Sequence, residues 1–185
     1  MRRLLLRARS GRGRLGGMKR TGIYAGSFDP PTNGHLWMIS RGAELFDELV
    51  VVLACNPEKR CLFSMEERKA LLVEVLRDMP GNVRLAVVQH GFLVDFARRE
   101  GARYLLRGIR NTVDFEYEKP MARMNSRMEP EIQSVFLVPP GELEEVSSSF
   151  VRGFACMTDW ERWVQACVPP CVYAAMKRKL GEVQP

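Results

Sequence analysis

The sequence predicts an α/β domain in which a five-stranded parallel sheet is flanked by helices and followed by a helical C-terminal segment. Extended and helical patterns alternate from Met18 to about Ser149, as they do in domains with parallel sheets. The segment "ELVVVLAC" is apolar throughout, which is typical of a strand covered on both faces. The chain has 185 residues, of which 46% are hydrophobic, so one domain with a substantial core is expected.

Five extended segments are predicted to form the sheet. The first, "TGIYAG", is short and runs into a loop rich in Gly and Pro. The others are "ELVVVLAC", "NVRLAVV", "RYLLRG" and "SVFLVP", and helical stretches separate them. The predicted strand ranges are 21–26, 48–55, 82–88, 103–108 and 134–139.

Apolar spacing and capping residues mark the helices. The first helix is expected from about Gly34, and Ser64 with Glu67 forms a capping-box pattern that opens the second. Gly101 ends the helix of "FLVDFARRE". The apolar residues of the first helix fall at helical spacing and are Leu36, Ile39, Ala43 and Phe46.

Prolines mark two further helices. The segment "TVDFEYEKPMARMNSRM" is predicted to be helical, with Pro120 either kinking the helix or marking its start. Pro169 and Pro170 lie near the start of a final helix that has a basic last turn.

The positive charge is concentrated at the N-terminus. The net charge is +6, but residues 1–17 hold six arginines and no acid. Removing those six from the 28 basic residues leaves 22, which equals the number of acidic residues, so residues 18–185 are formally neutral. We therefore predict a basic, disordered extension over 1–17 and one domain over 18–185, with no nucleic-acid partner for the domain. The extension could contact polyanions, act as an organellar transit peptide or have no role, and we favour the last.

Localisation follows from two further observations. The longest apolar run of the extension, Leu4 to Leu6, is too short for a signal peptide or a membrane span, so no membrane partner is expected. Five cysteines, an odd number, favour a reducing cytoplasm. Cys167 and Cys171 have no nearby histidine, which argues against a zinc site.

Polar clusters follow four of the predicted strands. They are "GSFDPPTNGH", the pair Lys59 and Arg60, "RGIRN" and "PPGELEEVSSS". Open parallel sheets bind ligands beyond the carboxyl ends of their strands. The four loops are therefore expected to converge on one ligand site.

The first loop places His35 in the first turn of a helix. Pro30 and Pro31 stiffen the turn, and the N–H groups and dipole of a helix start favour an anion. This pattern indicates an imidazole beside a phosphate-sized site. The alternative is a histidine that only caps the backbone of its own helix.

The same loop resembles the (H/T)xGH signature of the nucleotidyltransferase superfamily, most branches of which have His where this chain has Thr32. That threonine, with "RGIRNTVDFEYE" and "SSSFVR", is similar to the pattern of the phosphopantetheine adenylyltransferase family of bacterial coenzyme A synthesis. The resemblance runs from about Met18 to the last helix and implies a single Rossmann-like domain. It also implies transfer of the adenylyl group of ATP to the 4′-phosphate of phosphopantetheine, giving dephospho-coenzyme A and pyrophosphate.

The resemblance also implies site residues. His35 would stabilise the transition state, and Lys59 and Arg107 would bind the acceptor phosphate. The implied ATP-binding positions are Ser27, Phe28, His35, Gly108, Ile109, Arg110, Glu118, Leu143, Glu144, Glu145, Val146, Ser147, Ser148 and Ser149. The implied positions for phosphopantetheine are Ser27, Lys59, Leu93 and Arg107.

Taken singly, several of these residues have structural interpretations. Lys59 could be a solvated loop charge, Arg107 a surface residue at a strand end and Glu118 part of a charged helix face. Ser147 to Ser149 form an N-cap cluster that suits any helix, and Leu93 could be core.

The resemblance further implies Mg²⁺ on the substrate phosphates, a homo-oligomer that is usually a hexamer, and feedback inhibition by coenzyme A. Three alternatives stay open: a nucleotidyltransferase for another acceptor such as nicotinate mononucleotide, a non-catalytic nucleotide sensor, and a nucleic-acid binder that uses the arginine-rich extension. Two positions depart from the family pattern, Leu143 in place of an aromatic residue and Gly153 in place of an acid. His90 matches no motif and is expected to be exposed.

Overall fold

A computed structural model describes residues 19–55 and 60–181. The predicted extension and Lys59 lie outside these ranges. The strands are β1 (Thr21–Gly26), β2 (Glu48–Ala54), β3 (Val83–Val88), β4 (Tyr104–Gly108) and β5 (Gln133–Leu137). The α-helices are α1 (Asn33–Leu45), α2 (Met65–Leu76), α3 (Leu93–Arg99), α4 (Thr112–Met128), α5 (Ser148–Phe154), α6 (Trp160–Val164) and α7 (Pro170–Gly181). A short 3₁₀ helix spans Gly141–Leu143.

The five described strands form one parallel sheet in the order β3-β2-β1-β4-β5. The predicted fold class is therefore confirmed, and the predicted strand ends differ from the observed ones by at most two residues. The chain runs outward from β1 to β3, returns through α3 to β4 on the other side of β1, and then continues to β5. This arrangement creates a switch point between β1 and β4, where open sheets of this kind bind ligands.

Both faces of the sheet are covered, which explains the continuous apolar runs in its central strands. Val50 and Val52 of β2 pack in a cluster with α3, whereas Val51 and Leu53 pack in a second cluster with α1 and α2. All four of these side chains are 0% exposed. Strands buried on both faces need no polar alternation.

Gly42 allows α1 to lie close to the sheet. A Cβ atom at this position would be 2.8 Å from Cδ2 of Leu106 and 2.9 Å from Cδ2 of Leu49, too close for any larger residue without a shift. The close contact fixes the position of α1 and therefore of its first turn at the carboxyl end of β1.

The C-terminal helices pack on α2 and anchor the start of α1. Val151, Val164 and Met176 belong to a cluster that includes Leu71 of α2. The backbone N–H of Asn33 donates to the Cys167 carbonyl over 2.9 Å, and its side chain donates to the Ala166 carbonyl over 2.9 Å. The helical C-terminal segment thereby holds the helix that begins the predicted ligand site.

The capping predictions agree with the structure. Ser64 and Glu67 form a reciprocal capping box at the start of α2, and Ser147 caps α5. Helix α4 runs through Pro120 and starts at Thr112, with Asn111 as its N-cap, so Pro120 does not mark its start. No helix of the described residues is long and apolar enough to cross a membrane.

Candidate active site

A cavity of about 490 Å³ lies at the switch point of the sheet. It is bounded by the carboxyl ends of β1 and β4, by the first turns of α1 and α5, and by one side of α4. The predicted site residues that line it are Ser27, His35, Arg107, Gly108, Arg110, Glu118, Leu143, Val146, Ser147, Ser148 and Ser149. Three of the four predicted loops therefore meet in one cavity.

His35 is held in one orientation by the start of its own helix. Its Nδ1 atom accepts a hydrogen bond from the backbone N–H of Thr32 over 2.9 Å, and Thr32 Oγ1 lies 2.9 Å from the same atom. Because Nδ1 accepts from an N–H, the neutral ring carries its proton on Nε2. The histidine does cap its helix, as the structural interpretation proposed, but this contact also prepares Nε2 to donate to a ligand.

The ring is neutral at ordinary pH. Desolvation lowers the pKa of His35 from 6.5 to about 4, and the positive charge of Arg110 acts in the same direction. The ring also packs against Phe28, with 4.9 Å between the ring centres. A neutral imidazole with a fixed tautomer is a hydrogen-bond donor rather than a base.

We expect a distinctive pH dependence of stability from His35. Its folded pKa, about 4, lies below the unfolded value, so the unfolded chain binds more protons between the two. The contribution of His35 to the free energy of unfolding is therefore complete above its unfolded pKa and is lost as the pH falls towards 4. The total loss is on the order of 3 kcal/mol. Urea unfolding of the wild type and His35→Gln at pH 7 and pH 5 measures it, and an equal loss in both proteins would contradict this assignment.

Arg107 spans the floor of the cavity from β4. Its Nε donates to Glu118 Oε2 over 2.9 Å, its Nη2 contacts the other carboxylate oxygen, and its Nη1 donates to the Ala25 carbonyl over 3.0 Å. Glu118 lines the cavity, but both of its oxygens are bound to this arginine. The carboxylate therefore orients Arg107 in this structure rather than standing ready for a nucleotide.

Arg110 forms a second bidentate pair. Its Nε lies 2.8 Å from Asp114 Oδ2 and its Nη2 lies 3.0 Å from Oδ1. The hydrogen bond from Arg110 holds the pKa of Asp114 below its usual value. Both arginines are thus presented to the cavity in fixed positions.

The three serines of the last loop have different roles. Ser147 Oγ accepts from the Phe150 N–H over 3.1 Å, which caps α5. Ser148 Oγ donates to the Pro30 carbonyl over 2.8 Å and so ties this loop to the first one. Ser149 Oγ lies 3.2 Å from Nη2 of Arg152.

Comparison with known proteins identifies the family. A family model described as cytidylyltransferase-like matches residues 23–154. The phosphopantetheine adenylyltransferase of Chromobacterium violaceum is 48% identical over 165 residues, which cover 89% of this chain and 99% of that protein. The chain belongs to the phosphopantetheine adenylyltransferase family.

A second relative agrees with this family, and a solved structure agrees with the fold. The phosphopantetheine adenylyltransferase of Neisseria meningitidis serogroup C is 46% identical over 154 residues, which cover 83% of this chain and 90% of that protein. The solved structure of Plasmodium falciparum nicotinic acid mononucleotide adenylyltransferase complexed with NaAD has a TM-score of 0.66 at 16% identity, covering 87% of this chain and 95% of that one. The structural likeness shows the Rossmann-like fold.

Some of the binding residues implied by the phosphopantetheine adenylyltransferase resemblance are not among the described residues that line the first cavity. Phe28 is 0% exposed and packs behind His35, so only its backbone could serve a ligand. Ile109 donates its N–H to the Leu137 carbonyl over 2.8 Å. Glu144 and Glu145 are exposed beside the cavity. Lys59 lies outside the described residues.

Leu93 lines a second cavity of about 310 Å³, which lies beyond the carboxyl ends of β1, β2 and β3. Its lining includes Ala54, Val88 and His90, and it shares Ala25 with the first cavity. His90 is exposed, as expected. In this phosphopantetheine adenylyltransferase family member, two adjacent cavities therefore meet across the end of β1.

Sequence reasoning missed Arg152 as a site residue. It lines the first cavity, and its Nη1 lies 3.7 Å from the carboxylate of Asp29. The available signal was its place at the end of "SSSFVR", just past the serines implied to bind ATP. Tyr117 and Val113 also line the cavity and were missed, because their exposure on one side of α4 depends on how that helix docks.

The described residues contain no group of three or more His, Cys, Asp or Glu side chains that could hold a metal ion. The two carboxylates that line the first cavity are bound to Arg107 and Arg110.

Proposed function

We infer that the protein transfers the adenylyl group of ATP to the 4′-phosphate of phosphopantetheine, forming dephospho-coenzyme A and pyrophosphate. The observation that carries this inference is the 48% identity to a phosphopantetheine adenylyltransferase over nearly its whole length. The first cavity supports it, because its lining combines a neutral imidazole donor with three arginines beside the carboxyl end of β1.

The proposed mechanism is direct attack of the acceptor phosphate on the α-phosphorus of ATP. The Nε2–H of His35 would donate to the α-phosphate, where negative charge builds up as the bond to the attacking oxygen forms. Because the pKa of His35 is low, the ring would act as a donor and would not take up the proton of the nucleophile. The protein thus works by alignment and charge stabilisation, and needs no covalent intermediate.

The arginines would neutralise the two polyanionic substrates. Arg107 would contact the acceptor phosphate from the floor of the cavity, and Lys59 is proposed to do so from the loop after β2. Arg110 and Arg152 would contact the triphosphate, since they line the cavity beside α4 and α5. Guanidinium groups suit this role because their planar donors match phosphate oxygens.

The second cavity fits the arm of the acceptor. An acceptor phosphate near Arg107 would lie close to Ala25, which is shared by the two cavities. Leu93 and Val88 provide an apolar surface for the uncharged pantetheine chain. This placement supports Leu93 as a substrate-binding residue.

We propose that Mg²⁺ accompanies ATP. The ion would be held mainly by phosphate oxygens, because the two carboxylates that line the first cavity, Asp114 and Glu118, are paired with arginines. When bound, it would neutralise charge on the triphosphate.

We propose that the protein is a homo-oligomer, a hexamer by family resemblance, and that it works in the cytoplasm. We also propose feedback inhibition by coenzyme A, and we propose neither a nucleic acid nor a membrane as a partner. Helix α4 supports self-association. It buries no residue, and its methionines outside the first cavity are open to solvent, with Met121 exposed by 47%, Met124 by 54% and Met128 by 41%. An apolar helix face of this extent is expected to be covered by a second copy.

Pyrophosphate release from ATP and Mg²⁺ tests the reaction. We expect the purified protein to release pyrophosphate when it is given 4′-phosphopantetheine and only a background amount with nicotinate mononucleotide. The reason is that the similar curated proteins are named phosphopantetheine adenylyltransferases. Release with nicotinate mononucleotide alone would favour a different acceptor. ATP binding with no release from either acceptor would favour the nucleotide sensor.

A further inference from the structure

Arg68 is a buried arginine behind the first loop of the candidate active site. It lies in α2 and is 4% exposed. Its Nη1 donates to the Ser27 carbonyl over 2.9 Å, and its Nε donates to the Ser64 carbonyl over 3.3 Å. Both acceptors are neutral carbonyl groups, and Arg68 forms no ion pair with a carboxylate of the described residues.

The three arginines that line the first cavity are each paired with a carboxylate. Arg107 pairs with Glu118, Arg110 with Asp114 and Arg152 with Asp29. These three pairs are formally neutral, and His35 is neutral as well. Among the buried groups that the structure describes beside the first loop, the guanidinium of Arg68 is therefore a positive charge without a carboxylate partner. A buried cation without an anionic partner is costly to a protein and is relieved by a nearby anion.

The bond from Arg68 also sets the direction of one peptide group. The Ser27–Phe28 peptide is trans, so its N–H points away from its carbonyl oxygen. Since the oxygen points to Arg68, the N–H of Phe28 points to the opposite side, and this N–H donates no hydrogen bond to the described residues. Ser27 lines the cavity.

Phe28 needs such support. Its φ angle is +45°, in the left-handed region that bulky residues rarely adopt. A strained backbone of this kind persists only where surrounding contacts hold it. The hydrogen bond from Arg68 to the preceding carbonyl is one of those contacts.

We propose that Arg68 is a positioning residue for phosphate binding, which turns the Ser27–Phe28 peptide so that its N–H faces the phosphates of ATP and places an uncompensated positive charge behind it. Arg68 does not touch the ligand. It acts through the peptide, because a hydrogen bond from a cation to the carbonyl polarises the group and strengthens its N–H as a donor. The proposal rests on the proposed function in that it assumes ATP in the first cavity.

The test compares the binding of ATP with that of adenosine, which lacks phosphates, by titration calorimetry without acceptor. For Arg68→Met we expect the Kd of ATP to rise about tenfold and the Kd of adenosine to change by less than about twofold. Arg68→Lys keeps the charge but loses the planar fork, so an intermediate rise of about threefold is expected. Arg77→Met, at an exposed arginine that follows the same helix, is the matched control and should bind both ligands as the wild type does.

Two outcomes would overturn the proposal. One is ATP binding by Arg68→Met with the affinity of the wild type, and the other is an equal loss of ATP and adenosine binding, which would indicate a purely structural role. If the methionine variant does not fold, Arg68→Lys provides the test. A ratio of the ATP Kd to the adenosine Kd equal to that of the wild type would then contradict the proposal. The calorimetric titrations contain no phosphopantetheine. If phosphopantetheine failed to react in the pyrophosphate assay, the proposed reaction would be overturned, but the binding result for Arg68 would still stand.

Discussion

Replacing His35 by alanine is expected to lower kcat by about 10²- to 10³-fold while the Kd of ATP changes by less than about tenfold. The lost group is a donor whose orientation is set by the Thr32 N–H at 2.9 Å from Nδ1. A donor aimed at charge that develops only in the transition state contributes to kcat more than to binding. Steady-state pyrophosphate release and calorimetric titration of ATP measure the two quantities.

Two further variants sharpen the result. His35→Gln keeps an N–H donor on a side chain of similar reach, so its kcat should lie between those of the wild type and the alanine variant. Glu44→Ala, at an exposed position of the same helix, should leave kcat unchanged. Full activity of His35→Ala would remove His35 from the mechanism, and a loss of ATP binding equal to the loss of kcat would reduce it to a binding residue.

Replacing Asp29 by alanine is expected to lower the free energy of unfolding by about 3 to 5 kcal/mol. Its side chain is 2% exposed and accepts the N–H groups of Leu62 over 2.8 Å and Phe63 over 2.9 Å. Removing the carboxylate leaves both donors unpaired and takes from Arg152 its charge partner. The effect is large because the Asp29 carboxylate is only 2% exposed, so water has little access to take its place as an acceptor.

Urea unfolding of the two proteins measures this change, with Asp78→Ala at an exposed position as the control. The control should change stability by less than about 0.5 kcal/mol. If Asp29→Ala lowered the free energy of unfolding by less than about 1 kcal/mol, this carboxylate would not be what holds the segment of Leu62 and Phe63 in place. We also expect kcat to fall in the Asp29 variant, because Arg152 and the first loop would lose their common anchor.

The local features of the fold were predictable because they depend on residues a few positions apart. The capping box of Ser64 and Glu67 and the N-cap at Ser147 were expected and were found. The start of α4 was ambiguous. Pro120 has two possible effects in a helical pattern, and the capping residue Asn111 lies nine residues earlier. Its capping bond to Asp114 N decided the start.

The site was predictable as a set of loops but not as a set of contacts. The motifs placed His35, Arg107 and Arg110 together correctly, because the carboxyl ends of parallel strands share one edge of the sheet. They did not indicate that Glu118 would bind Arg107 with both oxygens. They also did not indicate that Arg152 belongs in the cavity. These contacts depend on where α4 and α5 pack.

The chain alone was enough to predict the five strands, the helix caps, the proline-rich turn before His35 and the family signature, because each depends on residues within about a dozen positions of one another. Only the folded chain shows the strand order β3-β2-β1-β4-β5, the pairing of Asp29 with Leu62 and Phe63, and the burial of Arg68 behind Ser27. Arg68 and Ser27 are 41 positions apart in the chain. Such contacts form only when the helices dock on the assembled sheet, and no local pattern of side chains specifies which distant group will be met there.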